Sequence, residues 1–182
     1  MLRLFVGLEL PEDIRARLAG LAAGIPGARW TPEENLHLTL RFIGEVSGPD
    51  AEDIHDALSI VFTRRFAMTI AGVGHFESAG QVHTLWAGIE KNPELNALRD
   101  RVDAALKRAG QAGNGQRFVP HITLARLRDA PASRVSTFLA ANNLLRAGPI
   151  MVDRFTLFSS YLQSSGPIYH AEAEYPLAVA AE

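Results

Sequence analysis

The chain of 182 residues has no cysteine, which excludes disulfides, thiolate nucleophiles and thiolate metal sites. No stretch approaches the roughly 18 apolar residues that a membrane span requires. The opening segment Met1–Leu10 is too short, and too interrupted by Glu9, to serve as a signal peptide. Charge of one sign is also missing: the formal net charge is −2, so no global positive field would hold long nucleic acid by its backbone. Recognised metal-ligand spacings such as His-Glu-x-x-His are absent, and no carboxylate stands beside either histidine motif described below. These absences predict a soluble, cytoplasmic protein with no membrane contact, no metal and no cofactor. Any phosphorylated ligand must then be gripped locally, by arginine. The 47% hydrophobic and 21% charged content is that of a globular protein. Its length suits one domain, or two small lobes sharing a core, with no disulfide or metal needed to fold.

What the chain does have is a repeated pattern. Leu36-His-Leu-Thr-Leu-Arg-Phe42 and Pro120-His-Ile-Thr-Leu-Ala-Arg126 both read His-x-Thr-Leu, and each is followed closely by arginine, Arg41 or Arg126. Apolar and polar residues alternate through both, the period of a half-buried strand. His37 and Thr39 then share one face of a strand, and His121 and Thr123 share one face of another. Leu38, Leu40, Ile122 and Leu124 turn the other way, into cores. Strict alternation puts Arg41 on the His37 face and Arg126 opposite His121, unless the second strand ends or bulges first.

The rest of the chain alternates helices and strands. A strand over 3–10 is followed by a helix over 12–23, with Ile14, Leu18 and Leu21 on one side. The first motif strand runs to about Val46, a helix covers 50–62, and strands cover 66–76 and 81–90. A helix starting near Pro93 carries Leu95, Leu98, Val102 and Leu106 inward. The glycine-rich loop 111–116 leads into the second motif strand. A helix over 131–142, one or two strands over 149–162 and a last strand over 168–177 complete the chain. The expected architecture is α/β with two similar lobes and a cleft between them, each lobe contributing one motif. The alternation also hints at an internal duplication.

Two histidines that approach one ligand from opposite sides suit general acid–base catalysis, because imidazole titrates near neutrality and can serve in either state. Displacement at phosphorus needs such a pair. Threonine hydroxyls and arginine forks can hold the non-bridging oxygens. A metal site drawn from His37, His75, His83 and His121 is the competing sharp reading, but no ligand spacing supports it. His55 reads as solvated surface, His75 and His83 as strand or loop residues, and His170 as structural. Trp30, Phe42 and Phe118 could each stack a base or each belong to a core.

These motifs, with Arg3-Leu-Phe-Val-Gly-Leu8, Gly74-His-Phe76, Leu85-Trp-Ala-Gly88, Leu157-Phe-Ser-Ser160 and Gly166-Pro-Ile-Tyr169, resemble the two-histidine phosphoesterase superfamily. The likeness is to its bacterial and archaeal branch, the RNA 2′,3′-cyclic phosphodiesterases, historically called 2′-5′ RNA ligases. The resemblance implies an α+β fold in which two antiparallel sheets line a central, metal-free cleft with helices outside, residues 1–182 forming one bilobal domain. It also implies His37 as proton donor to the leaving oxygen, His121 as proton acceptor from water, and Thr39 and Thr123 as phosphate-binding hydroxyls. Arg41, Arg126 and Phe42 are further substrate-binding candidates. The implied reaction opens a terminal 2′,3′-cyclic phosphate on RNA to leave a 2′-phosphate, by a monomer without an obligate protein partner. The residues alone leave open which histidine is the acid. They also leave open another small cyclic phosphate as substrate, ligation as the reverse reaction, and a non-catalytic module that binds RNA ends.

Overall fold

The computed structural model describes residues 1–179. Strand β1 (Leu2–Glu9) leads to helix α1 (Glu12–Ala19), the short strand β2 (Arg29–Trp30), a 3₁₀ turn at Glu33–Asn35, and the first motif strand β3 (His37–Val46). Helix α2 (Gly48–Ser59), strands β4 (Phe66–Ser78) and β5 (Gln81–Ile89), and helix α3 (Pro93–Arg108) come next. The second motif strand β6 (His121–Arg126), helix α4 (Ala132–Asn142) and strands β7 (Arg146–Val152), β8 (Arg154–Gln163) and β9 (Gly166–Pro176) follow.

The strands form two sheets, in the orders β3-β1-β8-β9 and β2-β6-β5-β4-β7, and all their pairings are antiparallel. Each sheet carries one His-x-Thr-Leu strand. The stretch read as one or two strands over 149–162 is two, β7 in one sheet and β8 in the other, so the chain changes sheets at Asp153. The halves of the sequence therefore do not map one-to-one onto the sheets, yet the hinted repeat extends beyond the motifs. Apart from β2, both sheets have the motif strand at one edge (β3-β1-β8-β9 and β6-β5-β4-β7), and in both a helix precedes and a helix follows the motif strand.

Helix ends also differ from expectation for local reasons. The first helix stops at Ala19 rather than Ala23, with the Gly20 N–H closing back on the Ala16 carbonyl. The second begins at Gly48, before the expected Asp50. Ser47 caps it by accepting from the Asp50 N–H at 3.2 Å, and proline is well tolerated in a first helical turn. Leu95, Leu98, Val102 and Leu106 of α3 are fully buried, as their spacing predicts.

One feature of both motif strands decides what faces the cleft. Between Thr39 and Arg41 the pairing of β3 with β1 skips Leu40, and between Thr123 and Ala125 the pairing of β6 with β5 skips Leu124. Each is a β-bulge, which adds a residue and reverses the side-chain parity beyond it. The first six residues of the two strands share one burial sequence: half-buried, buried, half-buried, buried, buried, exposed. Arg41 and Ala125 thus turn into the protein. Phe42 and Arg126 return to the face of the histidines.

Candidate active site

A cleft of about 470 Å³ lies where the two motif strands meet, and His37, Thr39, His121 and Thr123 all line it. Each imidazole is held in the same way. The Nδ1–H of His37 donates to the Asn35 carbonyl at 2.7 Å, and the Nδ1–H of His121 donates to the Val119 carbonyl at 2.6 Å. A carbonyl can only accept, so the proton of the neutral ring sits on Nδ1 and Nε2 keeps its lone pair. In His37, Nε2 meets the Thr39 hydroxyl at 2.8 Å. The sequence supplies both carbonyls two residues upstream, one from the 3₁₀ turn after Pro32 and the other from the extended approach through Pro120.

Aromatic rings pack against both imidazoles. Phe5 and Tyr169 lie 4.9 and 5.3 Å from the His37 ring, and Phe76 lies edge-on to His121 at 4.9 Å. These walls push both proton affinities down. Burial lowers the His37 pKa against the hydrogen bond to Asn35, and the positive charge of His121 adds to the fall. Burial lowers His121 as well, against its bond to Val119, with the Arg126 charge adding to it. Tyr169 is raised by burial, opposed by the charges of Arg126 and Arg3.

Room for these rings comes from glycine. Gly74 pairs with Trp86 across β4 and β5, and a Cβ there would lie 2.3 Å from the indole ring. That indole stands 5.5 Å from Phe76 and 6.1 Å from His121. Gly74→Ala is therefore expected to cost about 1–3 kcal/mol of stability, the usual range for overpacking, and to lower activity by displacing the support of His121. A melting temperature equal to that of the wild type would show that the indole has space to yield.

The other candidates divide. Phe42 is 68% exposed and lines the cleft, as does Arg126, whose guanidinium reaches the Thr84 hydroxyl at 3.4 Å. Arg41 does not. It is buried, 3.2 Å from Asp103 on α3, and donates to the Gln111 carbonyl at 2.9 Å. The expectation from alternation is thus reversed for both arginines, because each strand bulges before reaching them. Arg41 ties the first motif strand to α3 and to the glycine-rich loop leading to the second. Burial acts to raise the Asp103 pKa, but the hydrogen bond from Lys107 and the nearby arginines outweigh it and hold the carboxylate low.

The remaining histidines lie outside the cleft. His55 is exposed and bonds the Tyr175 hydroxyl at 2.8 Å, so its surface position includes a partner. His75 is 3.9 Å from Glu77, His83 contacts Thr84, and His170 packs on Tyr161. Among the described residues no cluster of three His, Asp or Glu side chains is placed to hold a metal. No described helix is long and apolar enough to cross a membrane.

Some cleft residues carry no sequence motif. Thr31 donates its hydroxyl to the Thr123 carbonyl at 3.0 Å and so fixes the second motif strand. Asn35 is buried, and its side-chain amide donates to the Pro167 carbonyl at 2.9 Å. One residue therefore tethers the β8–β9 hairpin with its side chain and orients His37 with its main chain. Arg29 and Tyr169 complete the walls. Tyr169 falls in the tail Gly166-Pro-Ile-Tyr169 but is assigned no place in the cleft from sequence; Arg29 and Asn35 show their roles only through partners distant in sequence.

Known proteins resemble this chain in sequence and fold. The family model of the 2′-5′ RNA ligase superfamily matches residues 10–162. A protein of Aeropyrum pernix named RNA 2′,3′-cyclic phosphodiesterase is 35% identical over 150 residues, covering 80% of this chain and 84% of its own. One of the same name from Thermus thermophilus is 32% identical, covering 97% of this chain and 90% of its own. Among solved structures, E. coli LigT complexed with 3′-AMP superposes with a TM-score of 0.79 at 27% identity, covering 97% of this chain and 98% of its own. From the motif strands to the paired sheets, the chain belongs to the 2′-5′ RNA ligase superfamily.

Proposed function

We propose that this protein hydrolyses the terminal 2′,3′-cyclic phosphodiester of RNA to a 2′-phosphomonoester by paired-histidine acid–base catalysis. The observation that carries the reading is the like anchoring of the two rings. Each Nδ1–H is spent on a main-chain carbonyl, which leaves each Nε2 to exchange protons at one cleft. In the reaction, His121 takes a proton from the attacking water as its oxygen bonds to phosphorus. The bond from phosphorus to O3′ breaks, and His37 gives that oxygen its proton. The product is a 3′-hydroxyl beside a 2′-phosphate. The assignment of donor and acceptor follows the family resemblance. Thr39, Thr123 and Arg126 face the non-bridging oxygens, where hydrogen bonds and positive charge stabilise the transition state. Phe42 offers an exposed ring on which the terminal base can stack. The relatives from Aeropyrum pernix and Thermus thermophilus, both named RNA 2′,3′-cyclic phosphodiesterase, support the substrate class. The motif strands of both sheets act as parts of one functional unit, and the chemistry calls for no cofactor or partner chain.

The test is turnover of a short RNA ending in a 2′,3′-cyclic phosphate. Phosphorus NMR should show conversion to the 2′-monoester, at a rate unchanged by excess chelator. Tight binding without turnover would overturn the reading in favour of an RNA-end binding module. Activity abolished by chelator and restored by one divalent metal would overturn the mechanism.

A further inference from the structure

The cleft carries more positive charge than one phosphodiester uses. Arg29 on β2 and Arg126 on β6 are direct cross-strand partners, both exposed and both on the cleft wall. Like charges placed opposite one another on a sheet repel and weaken the pairing. Nothing nearby cancels them. Among the described residues no acidic side chain lines the cleft, and neither guanidinium has a carboxylate within 4.0 Å. Elsewhere, surface arginines such as Arg146 and Arg154 are paired with glutamates.

The unfavourable pair is nonetheless firmly built. The two-residue strand β2 is held in register by Thr31, whose N–H donates to the Leu124 carbonyl at 2.9 Å and whose hydroxyl donates to the Thr123 carbonyl at 3.0 Å. Trp30, beside Arg29, packs on Phe138 of α4 at 5.5 Å. A cyclic phosphodiester has one negative charge, and the histidines, threonines and Arg126 already meet it. Arg29 is left over.

We infer that Arg29 forms a second phosphate site, taking the phosphate on the 5′ side of the terminal nucleotide. The preferred substrate is then an RNA end, or a 5′-phosphorylated nucleotide, rather than a nucleoside 2′,3′-cyclic phosphate alone. The inference rests on the phosphodiesterase reading and sharpens its substrate class. A contact to a non-reacting phosphate is made in ground and transition states alike, so its effect falls on KM rather than kcat.

Binding of the product pair tests the site without requiring turnover. Adenosine 2′,5′-bisphosphate should bind the wild-type protein roughly tenfold or more tighter than adenosine 2′-phosphate, the scale of a hydrogen bond between charged groups. Arg29→Gln should bring that ratio close to one, whatever factor both ligands lose in common. Arg29→Lys should keep much of it, because a point charge also reads a phosphate. Turnover of adenosine 2′,3′-cyclic phosphate with and without a 5′-phosphate should show the same ratio, carried by KM. A wild-type binding ratio near one, or a ratio unchanged in Arg29→Gln, overturns the second site. A ratio that behaves as expected with no turnover of either cyclic phosphate overturns the hydrolytic reading and leaves the site standing.

Discussion

Alanine in place of His37 or His121 is expected to lower kcat/KM by about 10²–10⁴, the usual worth of a positioned acid or base. The circular dichroism spectrum should stay unchanged, because both rings face the cleft while their core-facing neighbours Leu38 and Ile122 remain fully buried. The wild-type profile of kcat/KM should be a bell, with each limb reporting an essential group of the free enzyme. Its centre should fall on the acid side of the ordinary imidazole pKa of about 6.5. The sign follows from the site. Protonation makes each ring a cation, burial disfavours that cation, and a second positive charge stands near each ring, so both release protons at lower pH than a free imidazole. The two limbs belong to the pair, since the rings interact. Each single variant should flatten one limb, a different one for each, and the double variant should lose less than the product of the single losses. An alanine variant that retains the full rate and both limbs would remove that histidine from the chemistry.

Valine in place of Thr39 or Thr123 should lower kcat by about ten- to a thousandfold, the cost of removing one donor to a developing oxyanion. Valine keeps the shape and strand propensity and deletes only the hydroxyl. Both threonines are half-buried at the cleft, each two residues beyond its histidine and just before the bulge, so they share the face from which phosphate is reached. The loss should lie in kcat more than KM, because the charge these hydroxyls meet grows in the transition state. Wild-type kinetics in both variants would assign them to packing.

The histidines, the threonines and the strands bearing them were legible because period-two alternation is written into both motifs. The arginines were read the wrong way round, and the reason is local. After Leu124 the second motif continues with Ala125, two apolar residues in succession, which is the visible mark of a bulge. In the first motif the same position is Arg41, a polar residue that mimics unbroken alternation. It is buried only because Asp103 and Gln111 lie in wait on a helix and loop far along the chain. Strand β2 was hidden for a similar reason: two residues carry no periodicity, and only the edge of β6 makes them a strand. Asn35 carries no motif of its own, and its hold on Pro167 depends on a hairpin at the other end of the sequence.

The like anchoring of the two imidazoles also bears on the direction of chemistry. Two proton carriers fixed by the same contact, both with weakened proton affinity, form a couple in which either ring can give or take the proton, while the energies of substrate and product set the net direction. On the proposed reading, the step that opens the ring with water is matched by one that closes it, each ring exchanging its role. The nucleophile is then a matter of supply: water yields the monoester, whereas a ribose hydroxyl held in its place would yield a new internucleotide link. On that reading both outcomes open the ring, and the same residues would serve either nucleophile.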